Sequence, residues 1–99
     1  MSTLQELEGT DWGDPPADAT HLIRTVHRLR RKPIAELDTE DLRVLIGQQV
    51  GLRRLVPLAL EVLREDPLAE GHLYAGDLRD AVRRLDDSFW AAHPELTRP

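Results

Sequence analysis

Four histidines, two serines, eighteen carboxylates and no cysteine are the side chains from which this chain could build a reactive centre. His21 and His27 stand six residues apart. On one helix that spacing turns them about 120° from each other, too far round to grip a single metal ion. His72 falls in a Gly- and Pro-bounded stretch and His93 lies near the end. Ser2 and Ser88 are the only serines, and neither sits in a nucleophile elbow. The glycines form neither a dinucleotide fingerprint nor a phosphate loop. Without cysteine there is no disulfide, thiol chemistry or Cys-based zinc site. The expectation is a non-enzyme with no cofactor and no metal.

Chemistry is thus more promising on the surface than in a pocket, and charge is the first guide. The chain carries a net charge of −5. Residues 1–20 hold five acids (Glu6, Glu8, Asp11, Asp14, Asp18) and no base, whereas residues 21–32 hold five bases (Arg24, Arg28, Arg30, Arg31, Lys32) and no acid. An acidic total argues against nucleic-acid binding, where phosphate neutralisation dominates affinity. It favours a basic protein partner, or simply aids solubility. Arg24, Arg28 and Arg31 share one helical face. They form either a docking stripe or a solvated face neutralised by the acidic segment before it.

The elements that must carry these groups read as helices throughout. Thr3 to Glu8 can form a short helix capped by Thr3. GTDWGDPPADAT then breaks regularity, with Trp12 expected to pin that loop to the core. Asp18 to Lys32 is the first long helix, with Leu22, Val26 and Leu29 inward and Ile23 beside them, ended by Pro33. A second runs from Asp38 or Thr39 to Val50 or Gly51, opened by an Asp38/Asp41 capping box. It places Gln49 on an apolar stripe, where it must find a backbone partner, and Gly47 where another backbone can approach closely.

A third helix, from Leu52 or Leu55 to Glu65, is apolar over most of its circumference and is expected at the centre of the fold. Pro57 should mark its first turn or a kink. After Asp66-Pro67 comes LAEGHLYAG, in which Leu68, Leu73 and Tyr74 are expected to pack inward. A fourth helix, Gly76 or Asp77 to Leu85, buries Leu78, Ala81, Val82 and Leu85, with Asp77 as its cap. Phe89 and Trp90 in a last short turn should close the core. The whole, residues 1–99, reads as one all-α domain: a bundle of four to five helices around the apolar helix at 55–65, with residues 1–17 partly irregular. A helix-turn-helix reading across Gly51 fails, because VPLALEVL offers core side chains instead of base-reading ones.

IGQQVGL, followed by LVPLALEVL and DPLAEGHLYAGDL, resembles the immunity proteins of bacterial contact-dependent growth inhibition systems. The likeness runs from Trp12 to Leu96. It implies an antidote that binds and blocks a cognate toxin domain, in related systems often a nuclease acting on tRNA, and that turns over no substrate. No catalytic motif carries over; Gly47, Gln48, Gln49, Gly51, Pro57 and Gly71 look architectural. The implied partner is a basic toxin domain, with no direct nucleic-acid or membrane contact, met in the cytoplasm by a monomer. Neither a secretory signal at the N-terminus nor a membrane-spanning apolar run is expected. The contact surface is expected on loop-borne acids: Asp11, Asp14 and Asp18 at one end, Glu65, Asp66 and Glu70 at the other, with Trp12 or Tyr74 as aromatic anchors. A generic helical adaptor shares these physical features, and a DNA-binding regulator is the more distant alternative.

Overall fold

The computed structural model describes residues 2–99. Among them are six α-helices, one 3₁₀ turn and two isolated β-bridges, with no strand. The chain is all-α, as its periodicity implied. It forms two compact units, one ending at Leu37 and one beginning at Asp38.

The first unit holds α1 (Leu4–Glu8) and α2 (His21–Arg30). A reciprocal capping box starts α1. The Glu6 amide donates to Thr3 Oγ1, and the Thr3 amide donates to Glu6 Oε1, both at 3.1 Å. α2 begins later than its apolar pattern suggested, because Thr20 Oγ1 accepts the Ile23 amide at 3.2 Å and fixes the N-terminus there. Leu4, Val26 and Leu29 are buried. Leu22 and Ile23, expected inward, stand exposed in the first turn. The third buried position of α2 belongs instead to Arg30, which is only 1% exposed. A Thr3–Pro33 bridge and the bond from the Ile34 amide to the Ser2 carbonyl (2.8 Å) tie the ends of this unit together.

The second unit contains α3 (Thr39–Gly47), α4 (Leu52–Glu65), α5 (Asp77–Arg83) and α6 (Asp87–Ala92). The Asp38/Asp41 capping box opens α3 as expected. α3 then ends at Gly47, short of the expected Val50. The Gln49 amide bonds the Ile46 carbonyl and the Val50 amide bonds the Leu45 carbonyl, each at 2.9 Å. That pair of hydrogen bonds is a Schellman closure, and it requires a left-handed residue at its corner. Gln49 fills the corner with φ +57°. It is therefore exposed and off the apolar stripe on which its spacing had placed it. Gly47 likewise differs from expectation: no other atom lies within 4 Å of where its Cβ would stand.

α4 buries Leu55, Val56, Ala59 and Leu63 and leaves Leu58, Leu60 and Val62 half-buried. Pro57 sits at its sixth position, beyond the first turn, so the Arg53 carbonyl loses its helical donor. α3 packs against both α4 and α5, most extensively against α5, so it shares the hub role foreseen for α4 alone. Leu78, Ala81, Val82 and Leu85 are buried as their spacing implied. Phe89 and Trp90 are half-buried and meet edge to face at 5.1 Å.

Candidate functional site

The loop from Asp66 to Asp77 is built around carboxylates. Asp66 Oδ1 accepts the Leu68 amide at 3.1 Å, which starts the turn. Ala69 is buried beneath it, and a bridge pairs Glu70 with Ala75. Four successive amides then point at two carboxylates. Asp77 Oδ1 accepts from Gly71 at 2.7 Å, and Asp77 Oδ2 accepts from Leu73 at 3.0 Å and Tyr74 at 3.5 Å. Glu40 Oε1, on α3, accepts from His72 at 2.9 Å. Asp77, expected to cap α5, thus reaches back into the loop, and Gly76 takes the cap position with φ +88°.

Arg43 locks the two acids together. Its Nε and Nη2 grip Glu40 at 2.7 and 2.6 Å, and its Nε stands 3.7 Å from Asp77 Oδ2. Such fork-to-carboxylate bonding is directional and charge-assisted. Gly71 is required by closeness: a Cβ there would lie 2.6 Å from Glu40 Oε1 and 3.0 Å from Asp77 Oδ2. The Asp77 side chain is 1% exposed. Burial alone would raise its pKa, but the amides of Gly71, Leu73, Tyr74 and Leu78 outweigh burial and hold it below the ordinary value. Hydrogen bonding from Arg43 holds Glu40 low against its own desolvation, helped by the His72 amide. The same bond raises Arg43.

With its interior taken by acids and Ala69, the loop turns its large side chains outward. Leu68, Leu73 and Tyr74 are 54%, 63% and 43% exposed, against the expectation that they pack inward. Tyr74 donates its hydroxyl to Asp80 Oδ2 at 2.8 Å, which raises the Tyr74 pKa. Glu65, Asp66 and Glu70 are exposed on the same stretch. Beside the loop lies an open cleft of about 210 Å³, rimmed by Leu73, Tyr74, Gln49, Gly47, Arg43 and Arg84. Ile46, Ala81 and Leu85 line it as well.

The remaining expected contacts lie in the first unit. Arg30 donates to Glu8 Oε1 at 2.6 Å and to the Thr10 carbonyl at 3.1 Å, and its guanidinium stacks 4.0 Å from the Trp12 ring centre. Trp12 also meets His27 edge-on at 5.3 Å. It therefore pins its loop through a buried cation. Arg31 lies 3.6 Å from Asp11 and 3.3 Å from Asp14, and donates to the Gly13 carbonyl at 2.8 Å. The acidic segment thus neutralises one member of the Arg stripe, while Arg24 and Arg28 stay exposed. Asp18 is exposed. The structure thus groups Asp11, Trp12 and Asp14 around Arg30 and Arg31, and places Asp66, Glu70 and Tyr74 along one loop with Glu65 at the helix end before it.

Sequence reasoning passed over Glu40 and Arg43, and gave Asp77 the role of a helix cap instead of the loop's acceptor. Gly71 and Gly76-Asp77 bracketing the loop were the available signal, since an Asp next to a turn glycine often accepts nearby amides. Among the described residues no group of three His, Asp or Glu is placed to hold a metal ion. No helix among them is long and apolar enough to cross a membrane.

The fold and this loop define a small helical protein that offers a shaped, pre-set surface. A family model described as CDI immunity proteins matches residues 6–99, nearly the whole chain, and the chain belongs to that family. Its function is accordingly immunity against a toxin of such a system. No curated protein matches the chain.

Proposed function

We propose that the chain neutralises its cognate toxin by stoichiometric binding without turnover, in the cytoplasm, and that it docks through the Asp66–Asp77 loop of the second unit. One observation carries this reading: Leu68, Leu73 and Tyr74 project from a loop whose backbone is already fixed by Asp77 and Glu40. An apolar group on a fixed backbone is an anchor that costs little ordering entropy when a partner covers it. The neighbouring acids Glu65, Asp66 and Glu70 suit a basic partner and would speed encounter. The likeness to related systems supports a nuclease as the toxin's class, whose basic substrate cleft would be the matching surface. In the first unit Asp11 and Asp14 already share Arg31, which weakens their claim as contacts, and leaves Trp12 and Asp18 as secondary candidates.

The test is surface plasmon resonance with the purified cognate toxin domain. Charge reversal at Glu65, Asp66 and Glu70 should slow association and flatten its salt dependence. Leu73→Ala with Tyr74→Ala should instead speed dissociation, since truncated anchors act mostly through the off-rate. Unchanged rates in both variants would place the contact elsewhere. Cell survival on co-expression of toxin and variant gives the same ordering in vivo.

A further inference from the structure

The cleft beside the acidic loop is rimmed by two arginines, Arg43 and Arg84. Resting on the docking reading above, the geometry points to this cleft as the specificity pocket of the interface, taking an aspartate or glutamate side chain from the toxin. Three features support it.

The first is the lining. Arg43 and Arg84 are its two cations, and Asp77 is the one carboxylate among the described lining residues. The Asp77 oxygens are already engaged by three loop amides. Arg43 spends Nε and Nη2 on Glu40, which leaves Nη1 outside those bonds. Arg84 is exposed and stands beside the Tyr74 hydroxyl. The Gln49 carboxamide adds a third donor. The two guanidiniums bring charged donors to the cleft, and a carboxylate is the group that a guanidinium fork holds best.

The second is the floor and the opening. Ile46, Ala81 and Leu85 give an apolar base for the methylenes of an acidic side chain. Gly47 keeps the entrance clear, since nothing lies within 4 Å of its missing Cβ. The third is strain at the rim. Gln49 holds a left-handed φ of +57° that glycine would adopt without cost. A non-glycine residue at that corner sets a carboxamide on the cleft rim, where glycine would supply no side chain.

The physical consequence is selectivity. A basic toxin is drawn in by Glu65, Asp66 and Glu70, but it seats fully only if one acid lies at the register of Arg84. A toxin with a base there meets like charge and is rejected.

The experiment measures binding kinetics of the full chain with the cognate toxin domain, for Arg84→Glu and Arg84→Gln beside the Leu73→Ala/Tyr74→Ala pair. Thermal melts check folding; Arg84 is exposed at the end of α5, and Arg84→Gln removes the charge while keeping a flexible polar side chain. The expected result is a loss of at least about tenfold in affinity for Arg84→Glu, mostly in the off-rate, and a smaller loss for Arg84→Gln. Among toxin variants with single Asp or Glu residues changed to Arg, one should restore binding to Arg84→Glu while weakening binding to the unaltered chain. If both Arg84 variants bind within about twofold of the unaltered chain while the Leu73/Tyr74 pair loses affinity, the docking face stands and the acid-accepting cleft is overturned. An Arg84→Glu loss that no toxin reversal restores overturns it too. Full binding by all of these variants sinks the docking reading itself.

Discussion

Replacing Asp77 by Asn removes one charge and one acceptor oxygen while keeping the side chain's size. Asp77 holds the Gly71 amide with one oxygen and the Leu73 and Tyr74 amides with the other. Asn has a single acceptor, so its NH₂ group must face at least one of these amides donor to donor. Hydrogen bonds to a charged group contribute about 1.5–3 kcal/mol each, and a buried donor left unpaired costs about 1–3 kcal/mol. The Asn oxygen keeps one side of the loop, and Arg43 keeps its fork on Glu40. The net loss should therefore be about 2–3 kcal/mol of unfolding free energy. For a chain of this size that lowers Tm by about 8–20 °C. Urea unfolding at pH 7 measures it.

The pH dependence carries a second signature. The folded-state pKa of Asp77 lies below its ordinary value. Its contribution to stability is therefore fully present above the unfolded pKa of about 4, and is lost as pH falls through the lower folded value. Asn cannot titrate, so the gap between the two proteins should narrow below about pH 4. A loss under about 0.5 kcal/mol at pH 7, or a gap that does not narrow in acid, would refute the idea that this carboxylate organises the loop.

Other substitutions probe the same architecture. Gly71→Ala drives a methyl against Glu40 Oε1 at 2.6 Å, so it should destabilise by about 1–3 kcal/mol and accelerate amide exchange at His72, Leu73 and Tyr74. Gln49→Gly relieves the left-handed corner and should stabilise by about 0.5–1 kcal/mol in urea unfolding, while weakening toxin binding if the Gln49 carboxamide contacts the partner. Arg30→Ala strands Glu8 and the Thr10 carbonyl and uncovers Trp12, for a loss of about 2–3 kcal/mol, and should red-shift tryptophan fluorescence.

What was legible in the sequence was local. The Thr3 cap and the Asp38/Asp41 capping box each act over three residues, and both are present. The inward face of α5 followed from spacing alone. The loop was misjudged because its organiser is not local. Leu68, Leu73 and Tyr74 look like core residues, but Glu40 binds the loop from 32 positions away and Asp77 folds back six positions to Gly71. Once those carboxylates occupy the interior, the apolar side chains have nowhere to go but outward. The same limit hid Arg30, whose burial depends on Glu8 and Trp12 approaching from across the first unit. Gln49 failed for a different reason: a helical period continues smoothly through a residue whose backbone has already turned left-handed. Of the expected contact residues, only the fold separates Asp11 and Asp14, tied to Arg31, from Asp66, Glu70 and Tyr74 on the hydrogen-bonded loop.

The central claim, that the Asp66–Asp77 loop is the toxin-facing surface, is tested most directly by methyl NMR of the chain titrated with a catalytically inactivated cognate toxin domain. The account predicts that the Leu68 and Leu73 methyl resonances move and saturate at one equivalent, while those of Leu22 and Ile23, exposed on the first unit, stay in place. Movement confined to Leu22 and Ile23, with Leu68 and Leu73 unchanged at saturation, would contradict it.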